Sequence, residues 1–174
     1  MPTLIRNGAF ADDRYRLVRD AATVVDLPDG EPVIVPLSLW VERRAALIAR
    51  GDVGVWLAPA DDPVALADDV ARLPVIAIDF PQFTDGRGYS LARILRERLS
   101  YAGELRAIGD VQRDQIYYLS QCGFDAFLVP DGKDAQVALR GLADFSDGYQ
   151  RTQVRTPWFR RREALAALAS GKGS

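Results

Sequence analysis

From residue 33 onward, short β-branched runs alternate with longer stretches in which apolar positions recur every three or four residues. That alternation predicts repeated β-α units on a mainly parallel sheet. The first unit is VIVP (33–36) followed by a helix from Leu39 to Arg50, with Ser38 as its N-cap and Gly51 ending it. The second is VGVWLA (53–58), after which Asp62 and Pro63 open a helix whose buried stripe is Leu66, Val70 and Leu73. Pro74 stops that helix and VIAIDF (75–80) is the third strand.

Counting 100° per residue from Gly88, Leu91, Leu95 and Leu99 share one face, while Tyr89, Arg93, Arg96 and Glu97 fall away from it. ELRAIG (104–109) is the fourth strand, with a helix from Asp110 to Gln121 behind it that Gly123 ends. In this helix Val111, Gln115, Tyr118, Leu119 and Cys122 form the inward sector, where Gln115 stands out as a polar residue. FDAFLV (124–129) is the fifth strand, and a last helix runs from Asp134 to about Tyr149 on Ala138, Leu142, Phe145 and Tyr149.

Residues 1–30 carry an Asn7-Gly8 turn signal and β-prone clusters without a helical stripe, so an N-terminal β extension is expected. Residues 151–174 turn basic and then alanine-rich, which predicts a tail with one short helix near 160–169. The expected organisation is one α/β domain over 1–150, of about five β-α units, either an open doubly wound sheet or a partial barrel.

Composition narrows the chemistry. The 174 residues contain no histidine and one cysteine, so the usual general base, the usual zinc ligands and the thiolates of an iron-sulfur cluster are missing. One cysteine forms no internal disulfide, which points to a reducing cytoplasm, and no apolar run approaches the length of a membrane span. Twenty-two basic against 24 acidic residues leave a formal charge of -2, with no global field to hold nucleic acid.

Ligands of parallel α/β folds bind where the loops leave the carboxyl ends of the strands. The stretch IDFPQFTDGRGYS (78–90) puts Asp79, Asp85, Gly86, Arg87, Gly88 and Tyr89 on that edge; Asp110, Arg113 and Gln115 follow the next strand. In one reading the glycines let the backbone approach a small anion that Arg87 and the helix start hold. In the other, Asp85 caps a helix and the glycines only turn the chain. Gly86-x-Gly88 fails as a dinucleotide fingerprint, since Leu91 replaces the third glycine and the loop starts several residues beyond its strand. Asp79 either faces the ligand edge or bonds a neighbouring loop, Asp110 reads most simply as an N-cap, and Cys122 as a small core thiol. The basic aromatic PWFRRR (157–162) is either a docking segment or a solvated helix face.

The ordered segments VPLSLW, DFPQFTDGRGYSLARILRERL, GELRAIGDVQRDQ, QCGFDAF and FSDGYQ resemble a bacterial family called domain of unknown function 934, over Val33 to about Gln150. The resemblance implies a setting in sulfate assimilation, because members are labelled oxidoreductases of sulfite reduction and their genes sit beside those for assimilatory sulfite reductase. It implies an accessory whose partner is sulfite reductase or its electron donor, and it supplies no established catalytic residue. Sulfite reduction transfers six electrons through metal centres, which this chain has no ligands to hold, so the expected role is not that of the catalytic subunit. No intrinsic cofactor is expected. A flavin or nicotinamide nucleotide on the DGRGY loop is the alternative, without motif support.

Overall fold

A computed structural model of the chain describes residues 1–20, 30–82 and 84–147. The apolar runs form the strands β1 (Thr3–Arg6), β2 (Ala9–Ala11), β3 (Arg16–Leu17), β4 (Val33–Pro36), β5 (Val53–Leu57), β6 (Val75–Phe80), β7 (Glu104–Gly109) and β8 (Ala126–Val129). The α-helices are α1 (Leu37–Arg50), α2 (Arg87–Arg93), α3 (Arg113–Cys122) and α4 (Ala135–Asp147). All eight strands join one sheet in the order β2-β1-β8-β7-β6-β5-β4-β3. β3 to β8 run parallel, and the hairpin β1-β2, turned at Asn7 and Gly8, adds antiparallel to β8.

Strand order decides between the two expected architectures. From β4 to β8 every connection steps to the next strand in the same direction, so right-handed crossovers put the helices on one side and no switch point arises. The sheet also curls. β2 and β3 are its two edges, seven strands apart and about 34 Å across a flat sheet at about 4.8 Å per strand, yet only residues 12–15 join Ala11 to Arg16, a reach of at most about 18 Å. The fold is a curled half-barrel, and the doubly wound alternative falls.

Side-chain alternation divides the core. Val33, Val35, Val55, Ile76, Ile78, Phe80, Leu105 and Phe127 pack outward under the helices, whereas Ile34, Val75, Ala77 and Ile108 pack on the inner face with Tyr15, Leu17 and Trp56. β2 and β3 lie at opposite edges, so residues 12–15 cross the inner face, pinned where Arg106 Nη1 donates to Asp13 Oδ1 and Oδ2 at 2.9 Å.

Four local expectations change. α1 begins at Leu37 with Pro36 at the N-cap, so Ser38 lies inside the helix. Asp62 does cap, accepting from Val64 N at 3.0 Å, but the element it opens is a short 3₁₀ turn, Pro63–Leu66. α3 begins at Arg113, three residues beyond Asp110, which is therefore not its cap. After α2 the helix widens into a π turn, Ile94–Arg98. The extra residue in that turn swings Arg96 from the predicted outer face into the interior, where it is 5% exposed. Gly51 and Gly123 end α1 and α3 in the left-handed region as expected. Among the described residues no helix is long and apolar enough to cross a membrane. The inferred helix near 160–169, the PWFRRR segment and Tyr149 lie outside the described residues.

Candidate functional site

The DGRGY loop turns its charges on itself. Asp85 accepts from the Arg87 backbone N at 3.1 Å, and the Arg87 guanidinium closes a bidentate pair on the same carboxylate, Nε to Oδ1 at 3.0 Å and Nη2 to Oδ2 at 2.7 Å. That pairing holds the Asp85 carboxyl below its ordinary range. The carboxylate therefore takes both the helix-start N–H and the arginine fork that an external anion would need.

The two glycines do different work. Gly86 has ordinary backbone angles, and a Cβ there would only touch Tyr89 Cδ2 at 4.0 Å. Gly88 is buried, and a Cβ there would stand 2.5 Å from Phe80 Cζ and 3.1 Å from Ile78 Cγ2. Its missing side chain lets α2 lie close on β6, so the backbone approaches the sheet and not a ligand.

Tyr89, expected on the outer face, is half-buried. Its ring packs on Phe80 with centroids 5.6 Å apart and meets Tyr118 edge-on at 5.0 Å. Burial pushes its phenol above the ordinary tyrosine range, while a hydrogen bond with the Gln115 side chain pulls the other way. Tyr118, expected in the inward sector of α3, is instead 51% exposed; Ile116, Leu119, Ser120 and Cys122 are the buried residues. Gln115 is the partly buried amide that ties down neighbours: its Oε1 accepts from Gln112 N at 3.4 Å in the capping box at the start of α3, and it reaches Tyr89. Cys122 is a core thiol, pushed up by burial.

Asp110 and Arg113 stand apart from that cluster. Asp110 accepts from Lys133 Nζ at 2.6 Å, which links the loops after β7 and β8. Arg113 lines a cavity of about 200 Å³ with Val111, Gln112, Val129, Lys133 and Val137. Both helix starts at that cavity are satisfied from within, α3 by Gln112 and Gln115 and α4 by Asp134, whose Oδ1 accepts from Gln136 N at 2.8 Å and Val137 N at 3.2 Å.

Asp79 points to the opposite face of the sheet from Phe80 and Tyr89, into the carboxyl-end mouth of the half-barrel. There Arg19 Nη1 stands 2.9 Å from its Oδ1, and the Arg19 guanidinium lies 5.4 Å from the Trp56 ring centroid. The expected residues thus fall into four groups: Asp85 with Arg87, Tyr89 with Gln115, Asp110 near Arg113, and Asp79 alone on the inner face. They do not line one pocket.

Arg19, Trp56, Tyr118 and Lys133 are missing from the residues that sequence singles out for this edge. The signal for Trp56 and Asp79 is present, since VGVWL and VIAIDF alternate with period two and put both side chains on the inner face. Nothing local marks Arg19, because its partners come from β5 and β6.

The loop, the aromatic pair and Asp79 all fall within one stretch of recognised family sequence. No curated protein matches the chain at a significant level. The family match starts at residue 54, later than the Val33 inferred from the motifs, and runs past Gln150 to take in Pro157 to Phe159. The chain belongs to the family described as bacterial protein of unknown function, DUF934, whose model covers residues 54–159.

Proposed function

We propose that the chain is an accessory of assimilatory sulfite reduction, within sulfate assimilation and cysteine biosynthesis, that supports sulfite reductase or its electron supply in the bacterial cytoplasm. It works by contact with a partner protein through the surface formed by the DGRGY loop and the Tyr89–Tyr118 pair. The setting rests on the family resemblance. The mode of action rests on one observation, the bidentate Asp85–Arg87 pair: a loop whose cation is already matched offers a charge-balanced surface beside exposed Tyr118. Tyrosine and arginine are residue types that anchor protein interfaces. The alternative, an anion- or nucleotide-binding oxidoreductase on the same loop, has that ion pair against it.

Purified sulfite reductase and its electron donor, each assayed for association with the chain and for sulfite turnover in its presence, test the role. Association or raised turnover that Tyr118→Ala weakens about tenfold is the expected result. Neither association nor any change in turnover removes the reading. A coloured protein, or one that titrates with nucleotides, sulfite or sulfate, favours the alternative.

A further inference from the structure

The inner face carries a second arrangement that the DGRGY surface does not use. Asp79 sits at the carboxyl end of β6, the third of the five β-α strands, where half-barrels and barrels place their ligands. It is 8% exposed, and its Oδ1 has no hydrogen-bond partner among the described residues. Arg19 stands 2.9 Å from that oxygen, so the charge is matched, but its angle is not that of a hydrogen bond. A buried acceptor left without a donor is rare in folded proteins and calls for a reason.

The surroundings supply one. Trp56 forms a fixed platform, because its Nε1 donates to Val18 O at 2.8 Å. Beside the carboxylate, Gly109 has φ +90, and a Cβ there would stand 2.8 Å from Asp79 Oδ1 and 2.4 Å from Phe80 O. Any other residue would clash with the β6 backbone and push against the unmet oxygen, so the glycine lets β7 pack close to Asp79 without displacing it. A flat indole face beside a buried carboxylate fits a planar cation, which stacks on the ring while its N–H groups meet the acid.

We propose that Trp56 and Asp79 form a seat for a guanidinium-bearing ligand, which the chain's own Arg19 occupies until that ligand displaces it. Arg19 is suited to leave. Its side chain is 48% exposed, and among the described residues its guanidinium is held only by the Trp56 ring and Asp79. A ligand free to choose its angle gives Oδ1 the hydrogen bond that Arg19 withholds. Ammonium groups bind less well, since a compact, strongly hydrated charge gains less from the indole face.

The seat is tested on the full chain with methylguanidinium as probe and methylammonium as comparator, followed by calorimetry and by the indole N–H signal of Trp56. Arg19→Ala is expected to bind methylguanidinium at least tenfold more tightly than the wild type and to prefer it to methylammonium. Adding Asp79→Asn is expected to abolish the gain. Equal binding by wild type and Arg19→Ala, or binding that persists in the double variant, overturns the proposal and leaves Arg19 as an internal clasp. Should Arg19→Ala fold poorly, methylguanidinium is expected to raise its melting temperature and not that of the double variant; no difference between the two also overturns the seat. Agmatine and an end-blocked Gly-Arg-Gly peptide then identify the source. Tighter agmatine binding supports a free small cation, tighter peptide binding supports an arginine of a partner protein, and failure of Arg19→Ala to bind either counts against the seat.

Discussion

Arg96 and Asp125 meet in the interior with Nη2 and Oδ2 3.2 Å apart, their side chains 2% and 0% exposed. Arg96 comes from the π turn after α2, and Asp125 from the residue before β8. The guanidinium also donates to the carbonyls of Gly123, Tyr101 and Gly103 at 2.9, 2.7 and 2.8 Å, and Asp125 Oδ1 accepts from Leu105 N at 2.8 Å. One buried ion pair thus joins the chain leaving α2, the start of β7 and the end of α3, at the opposite end of the strands from Asp79 and Gly109.

Breaking that pair from one side leaves a buried charge unmatched. Asp125→Ala is expected to cost about 3–5 kcal/mol in urea unfolding, and Arg96→Met a similar amount. The double variant should lose less than the two losses added together, because neither charge then remains alone. Strict additivity would mean that the pair is not the unit.

Gly88→Ala is expected to destabilise by about 1–3 kcal/mol, since the new methyl meets the Phe80 ring at 2.5 Å. Gly86→Ala, whose new methyl would meet only Tyr89 Cδ2 at 4.0 Å, should stay within about 0.5 kcal/mol. The urea midpoints of the two variants check this; equal losses would show that Gly88 is not a packing glycine.

Because Asp85 fills the fork of Arg87, sulfate and phosphate should not raise the melting temperature of the wild type through this loop. Asp85→Asn frees the guanidinium, and a stabilisation by sulfate should appear there that Arg87→Ala does not show. A wild-type response lost in Arg87→Ala would restore the anion reading.

Acid sensitivity is expected at Asp69, which accepts from Trp40 Nε1 at 2.9 Å and binds Arg44 through both oxygens at 2.8 and 2.7 Å. The Arg44 contact, chiefly by hydrogen bonding, holds its carboxyl below the ordinary value. The folded state therefore binds fewer protons at this group than the unfolded state near pH 4. Its contribution is present above the unfolded value of about 3.9 and is lost as the pH falls through the lower folded value. Unfolding followed by tryptophan fluorescence should show a shallower loss of stability below about pH 4 in Asp69→Asn than in the wild type. An unchanged slope would remove Asp69 from the account.

Most of the fold was legible because its strands are local apolar runs. VIVP and VIAIDF coincide with β4 and β6, since a parallel strand buried on both faces reads as a nearly continuous hydrophobic stretch, and ELRAIG coincides with β7 although Glu104 and Arg106 interrupt its apolar run. Arg96 was misplaced because a helical wheel assumes one period, and the π turn changes it in mid-helix. Tyr118 was misplaced because the wheel shows it as apolar, although its ring leans on Tyr89 from the solvent side. The edge residues were identifiable by their position after each strand; their separation was not. Asp79 and Phe80 are neighbours in sequence and face opposite sides of the sheet, so one loop motif supplies two unrelated surfaces. Arg19 and Asp79 meet only after the sheet curls, which no window of sequence encodes.

The placement of β1 and β3 at either flank of the β4–β8 sheet also orders events during synthesis. Leu4 pairs with Leu128, so β1 waits for β8, made much later along the chain, before it can dock. Until then β1 and β2 have no sheet to join, and a truncated chain lacking its first seventeen residues would present two bare edges, β8 and β4, to other chains. The amino-terminal hairpin and strap are therefore the closing step of assembly, and their loss should appear as aggregation before it appears as unfolding.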